Sequence, residues 1–162
     1  MHIRSGSGTT DDGGALTGLG NLIIGYNEEP LGFAAGERAG SHNLSIGTGH
    51  RYLNFGGLVA GRRNTVSGVE ASVSGGLNNT ATGNFASVSG GVNNAASGNN
   101  ASVSGGFSNT ASGNDASVSG GSGNTASGLQ ASVSGGRSCK LTSTNAWGVG
   151  DSPITAGCPT TN

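Results

Sequence analysis

Charge is scarce in this chain. Asp, Glu, Lys and Arg together supply 9% of its 162 residues, against about 25% in an ordinary soluble domain. With a formal net charge of −1 it has none of the basic excess that contact with a phosphate backbone requires, which excludes nucleic acid as a partner. Aromatic residues are also few, at 4%, so this is not an ordinary globular domain. No run of apolar residues approaches the length of a membrane-spanning helix. Low hydrophobicity accompanies disorder mainly where charge is high, and here it is not. The two cysteines, Cys139 and Cys158, are too few for a disulfide scaffold and wrongly spaced for a zinc site. They leave open one bridge closing the C-terminal segment, or two small buried thiols. No apolar stretch of a signal peptide follows Met1. No proline lies between Leu31 and Ser152, so no strand there lacks a ladder donor.

What the chain does have is glycine, at 34 positions, and a repeat. Ala71-Ser72-Val73-Ser74-Gly75-Gly76 returns at Ala86, Ala101, Ala116 and Ala131, a strict period of 15. Each unit continues with two variable residues, an asparagine, and a short run of Thr, Ala and Ser ending in glycine. Gly56 to Glu70 fits the same frame, and Asn43-Leu44-Ser45-Ile46-Gly47 echoes Asn21-Leu22-Ile23-Ile24-Gly25. Around Val73 and around Ala81 the residues alternate as in strands with one buried face. Gly75-Gly76 and Gly83 are expected at corners where positive φ or close backbone approach is needed. Helical spacing is absent. A period this short suits one coil of a β-solenoid. The expected organisation is an N-terminal cap with an irregular insertion over 1–42, a repeat domain over 43–138, and a C-terminal cap or transition over 139–162.

The core of one coil is thin: one valine and two alanines, as in Val73, Ala71 and Ala81. Pooling three chains would enlarge it, so the sequence predicts a homotrimer whose core column is Val73, Val88, Val103, Val118 and Val133; a thin two-faced monomeric solenoid of tightly interdigitated Ala, Ser and Thr coils stays open. Asn79, Asn94, Asn109 and Asn124 form another column, expected to be a structural asparagine ladder. The variable column Leu77, Val92, Phe107, Ser122 and Arg137 belongs on an exposed corner, as do the positions of Asn84 and Phe85. In the last unit Cys139 takes the asparagine column and Leu141 the alanine column.

Ser72-Val73-Ser74-Gly75-Gly76, two variable residues and Asn79-Thr80-Ala81-Thr82-Gly83 resemble the head repeat of YadA-like trimeric autotransporter adhesins. The resemblance covers roughly residues 43 to 138. It implies a trimeric left-handed parallel β-roll, a head piece of a longer fibre, and a place on a bacterial surface or fibre tip, where such heads attach to matrix proteins, cells or surfaces. Phage tail fibres carry similar modules. The usual period of that family is shorter by one, and Gly75 stands where it has isoleucine, although Ile24 and Ile46 lie in turns closer to its pattern.

Catalytic chemistry is poorly represented. The acids include Glu28 and Glu29 in the insertion, the best available glycosidase pair. A calcium β-roll would need an aspartate in every repeat, and only Asp115 occurs there. His2, His42 and His50 are scattered. No nucleophile elbow with Asp and His partners and no phosphate-loop lysine is present. The chain is therefore read as a non-enzymatic adhesin head with no cofactor or metal. An ice-binding face built on Thr80-x-Thr82, Thr110-x-Ser112 and Thr125-x-Ser127 is the alternative, and a glycan hydrolase using Glu28 and Glu29 a lower one. Binding energy concentrates in aromatic and arginine side chains, which places partner contact at Tyr26, Phe33, Arg38, Arg51, Tyr52, Phe55, Arg62 and Arg63, within residues 26 to 63. The partner expected there is a glycan, a matrix protein or a cell surface.

Overall fold

The computed structural model describes residues 8–26, 28 and 34–150. Apart from a short 3-10 turn at Asp12–Gly14, these residues wind into a parallel β-solenoid with two sheets. In one, nine strands stack in chain order: Leu22–Ile24, Leu44–Thr48, Leu58–Arg62, Ser72–Val73, Ser87–Val88, Ser102–Val103, Ser117–Val118, Ser132–Val133 and Trp147–Gly148. In the other, seven do: Arg51–Tyr52, Thr65–Val66, Thr80–Ala81, Ala95–Ala96, Thr110–Ala111, Thr125–Ala126 and Lys140–Leu141. The ladder runs past both ends of 43–138. Leu22–Ile24 already pairs with Leu44–Ile46, and Trp147–Gly148 still pairs with Ser132–Val133.

Two coil lengths coexist. Arg51 pairs with Thr65 and Leu44 with Leu58, a step of 14. Farther on Ser72 pairs with Ser87 and Thr80 with Ala95, a step of 15. The change falls inside one coil: Val59 opposes Val73, still the shorter step, whereas Arg62 opposes Leu77, already the longer one. The extra residue is thus added between Val73 and Leu77, at the Gly-Gly corner, and the first turns keep the shorter period.

The repeat columns point as the alternation predicts. Ala71, Val73, Asn79 and Ala81 face inward, and Ser72, Ser74, Thr80 and Thr82 outward. The valines, however, need no second chain. Val73, Val88, Val103, Val118 and Val133 are at most 1% exposed in the single chain. Each is covered by the residues of the coils before and after it with which it is in register, mostly valines, and alanines of the same chain complete the cluster. Their assignment to a centre where three chains meet is therefore corrected: axial stacking supplies the neighbours that one coil lacks.

The glycines of each corner are unequal. A Cβ on Gly91, which has φ +83°, would lie 2.2 Å from the carbonyl oxygen of Gly106 in the next coil and 2.6 Å from Asn94 Nδ2. A Cβ on Gly90 would meet nothing within 4 Å. Gly75 likewise has only a distant neighbour, so close approach is required at Gly76 but not at Gly75. Gly83 is fixed by contact alone, since its Cβ would sit 2.0 Å from the Gly98 carbonyl. Gly91→Ala is expected to cost about 3 kcal/mol or more through overlap and backbone strain. Gly90→Ala should stay within about 0.5 kcal/mol of the parent. Urea midpoints of the two variants check the contrast, and equal loss would overturn it.

Candidate functional site

Three features distinguish this solenoid from a uniform rod: a buried amide ladder with a histidine at one end, an exposed corner stripe, and an aliphatic outer face.

The ladder uses each asparagine three times. Asn94 Oδ1 accepts the Asn109 N–H at 2.9 Å, while Nδ2 donates to the carbonyls of Gly90 at 2.9 Å and Gly106 at 3.0 Å. Asn79, Asn109 and Asn124 repeat this set, and Asn64 begins it. All five are at most 1% exposed. The predicted ladder is present, but its bonds run from side chain to backbone rather than between amides. At its C-terminal end the Cys139 N–H donates to Asn124 Oδ1 at 2.9 Å. Cys139 is disulfide-bonded; Cys158 lies outside the described residues. At the N-terminal end His50 occupies the same column. Its Nδ1 accepts the Asn64 N–H at 3.2 Å and its Nε2 lies 3.0 Å from the Ile46 carbonyl, four positions back, where the asparagines also reach. The neutral ring with its proton on Nε2 reproduces the amide's acceptor and one of its two donors. Burial pushes the His50 pKa below its ordinary value.

A second, exposed ladder goes beyond the sequence reading. Asn84, Asn99 and Asn114 accept the backbone N–H of Val69, Asn84 and Asn99 in turn, at 3.0 to 3.2 Å. Three asparagines at the repeat spacing are its signal in the sequence. The N-terminal polar cluster has no such signal. Asp12, buried, accepts from Thr17 Oγ1 and lies 3.8 Å from His42 Nδ1, while Ser41 Oγ accepts the N–H groups of Thr17 and Gly18.

The predicted contact residues separate. Tyr52 is 2% exposed and belongs to the core, so it is withdrawn as a contact: its backbone pairs with Gly40 and Glu37, and its side chain is buried in the first coil, where the insertion returns. Arg38 and Arg51 are tied into the fold, Arg38 Nε donating to the His50 carbonyl at 3.0 Å and Arg51 Nε lying 3.0 Å from Glu37 Oε2. Tyr26, 93% exposed, and Arg62 and Arg63 face solvent. Phe55, half-buried, lines a groove of about 500 Å³ with Thr10, Asp11, Gly56 and Glu70. Phe33 and Glu29 lie outside the described residues. Glu28 is exposed.

Arg62 does not stand alone. Parallel bridges link Arg62, Leu77, Val92, Phe107, Ser122 and Arg137 in sequence along one corner. The variable column of the repeat is thus a continuous stripe, with mostly apolar side chains between two arginines, and Phe107 is half exposed. The third feature is the outer face of the nine-stranded sheet. Leu22, Leu44 and Leu58 share one outward column and Ile24, Ile46 and Ala60 the next, with Ile24 and Ile46 exposed. From Ser72 onward serine replaces the leucine column, until Trp147.

Among the described residues no three His, Cys, Asp or Glu side chains gather as a metal site requires, and no helix is long and apolar enough to cross a membrane. The fold defines the class, a parallel β-solenoid of repeated coils. No family model, no curated protein and no solved structure matches the chain.

Proposed function

We propose that the chain is the non-enzymatic head of an extracellular surface fibre, an adhesin module that associates as a homotrimeric left-handed β-roll and binds a glycan, a matrix protein or a cell surface. The observation that carries this reading is the aliphatic outer face. Leu22, Leu44, Leu58, Ile24 and Ile46 lie on one side of a sheet and contribute nothing to the buried interior. An uncharged face of this kind marks an interaction site. A copy of the same chain has the same coil spacing and can stay in register with it along its length. In this reading the trimer seam runs along this face rather than through the valines. Three copies would present three corner stripes at once, and multivalency strengthens weak contacts. The disulfide at Cys139 suits an oxidising, extracellular setting.

Light scattering is expected to give about three times the 15.5 kDa chain mass, with Ile46→Asp lowering it while the circular dichroism spectrum is retained. In a glycan and matrix-protein array, a variant lacking Ala86 to Asp115 should keep the parent's targets, because Tyr26, Arg62 and Arg63 remain. A folded monomer at micromolar concentration sinks the trimer, and a folded deletion variant that no longer binds moves the contact to Val92 and Phe107.

One observation favours a second reading. On the outer face of the seven-stranded sheet Thr80 and Thr82, Thr110 and Ser112, and Thr125 and Ser127 form two hydroxyl ranks. Ala95 and Lys140 interrupt the first rank. Thermal hysteresis in the same preparation would support ice binding over adhesion.

A further inference from the structure

The asparagine column has one member that can change charge near neutral pH. His50 is 2% exposed and joins two parts of the molecule: through its carbonyl it holds Arg38 of the insertion, and through Nδ1 it holds Asn64 at the head of the ladder. We propose that His50 is an acid-released clasp, in which protonation at Nδ1 turns the ladder's terminal acceptor into a donor facing the Asn64 N–H and frees the N-terminal turns from the stack.

Burial disfavours the charged ring and outweighs the backbone hydrogen bonds that favour it, among them those to Ile46 and Gly61. A proton on Nδ1 would face the Asn64 N–H. Among charged side chains, Arg38 acts on it and disfavours a second positive charge. The neighbouring Arg51 is paired with Glu37. Arg62 and Arg63, on the adjoining corner, are exposed and would repel rather than neutralise it. A Cβ on Gly47 would come within 3.1 Å of Nε2, so the ring is held closely and has little room to turn its new proton elsewhere. Because the folded protein binds the proton more weakly than the unfolded chain, stability is complete above the ordinary His pKa of 6.5. It falls as the pH drops below that value. Asn64, Asn79, Asn94 and the later members of the column carry no titrating group, so the release is confined to the first coils.

Native-state hydrogen exchange on the full chain tests the proposal. After correction for intrinsic rates, the Asn64 amide is expected to open severalfold more at pH 5 than at pH 7.5, since the folded chain binds the His50 proton more weakly than the unfolded chain. The Asn94 and Asn109 amides should keep their protection. His50→Asn restores the amide that the column uses elsewhere and should remove the pH dependence at Asn64. If that variant does not fold, nitrogen shifts of the parent imidazole decide: a neutral ring protonated at Nε2 and titrating below 6.5 is expected. Equal Asn64 opening at both pH values, or a ring titrating at its ordinary value, overturns the clasp.

Discussion

Val103→Asp is expected to unfold the middle of the solenoid, with a loss of about 3–5 kcal/mol, the usual consequence of an uncompensated buried charge. Val103 is 1% exposed between Val88 and Val118, and the side chains of the core cluster are apolar apart from a tyrosine and a cysteine in the end coils. The buried amide donors of the same coils, Asn94 and Asn109 Nδ2, are each already bonded to two glycine carbonyls. Since each coil rests only on its neighbours, a failed layer also separates the coils on either side of it. Ser102→Asp, at the preceding position on the outward face, should change stability by less than about 1 kcal/mol. Urea titrations followed by circular dichroism measure both. Because the valine is buried within one chain, the difference should appear whatever the oligomeric state, and equal tolerance would mean that inside and outside are exchanged.

Asn94→Ala should cost about 3 kcal/mol or more, because it strands the Asn109 N–H and the carbonyls of Gly90 and Gly106, and each buried group left without a partner costs about 1–3 kcal/mol. Asn94→Asp keeps the shape and the acceptor but sets a carboxylate oxygen against those two carbonyls, so its loss at pH 7 should exceed that of alanine. Protonation would restore one donor. The folded chain then binds the proton more tightly than the unfolded chain, and stability relative to the parent should recover as the pH falls toward 4. Measuring both variants against the parent at each pH separates this recovery from the parent's own acid response at His50. An aspartate variant as stable as the parent at pH 7 would contradict the bonding described for the ladder.

A strict period puts every member of a column in one environment, which is why Ala71, Val73, Asn79 and Ala81 could be placed inward and Ser72 and Thr80 outward from the residues alone. The same period is silent on what lies above and below a coil. A valine covered by the next coil and a valine covered by another chain produce one pattern, and that ambiguity underlies the trimer-core assignment. His50 is opaque for a different reason. It occupies the asparagine column only once the turn before it is counted with the shorter step, and a histidine among asparagines gives no sign that its two nitrogens copy an amide. Tyr52 resembles a contact residue because the insertion beside it carries no repeat to align. The Leu77 to Arg137 corner is visible in the sequence as variation, but its continuity comes from the bridges.

Nearly all the bonds that join one coil to the next are directed along the long axis of the solenoid. A pull along that axis loads the junctions one after another, and such a series parts at its weakest member. From Asn64 to Asn124 each junction carries an amide that offers two N–H donors. At His50 the imidazole offers one. The same junction, however, has the longest strand pairing of the nine-stranded sheet, five residues from Leu44 to Thr48 against Leu58 to Arg62, where Ser72–Val73 and Ser87–Val88 pair over two. The rod thus changes its fastening along its length: a longer backbone pairing carries the load near the tip, and amide side chains share it along the repeats.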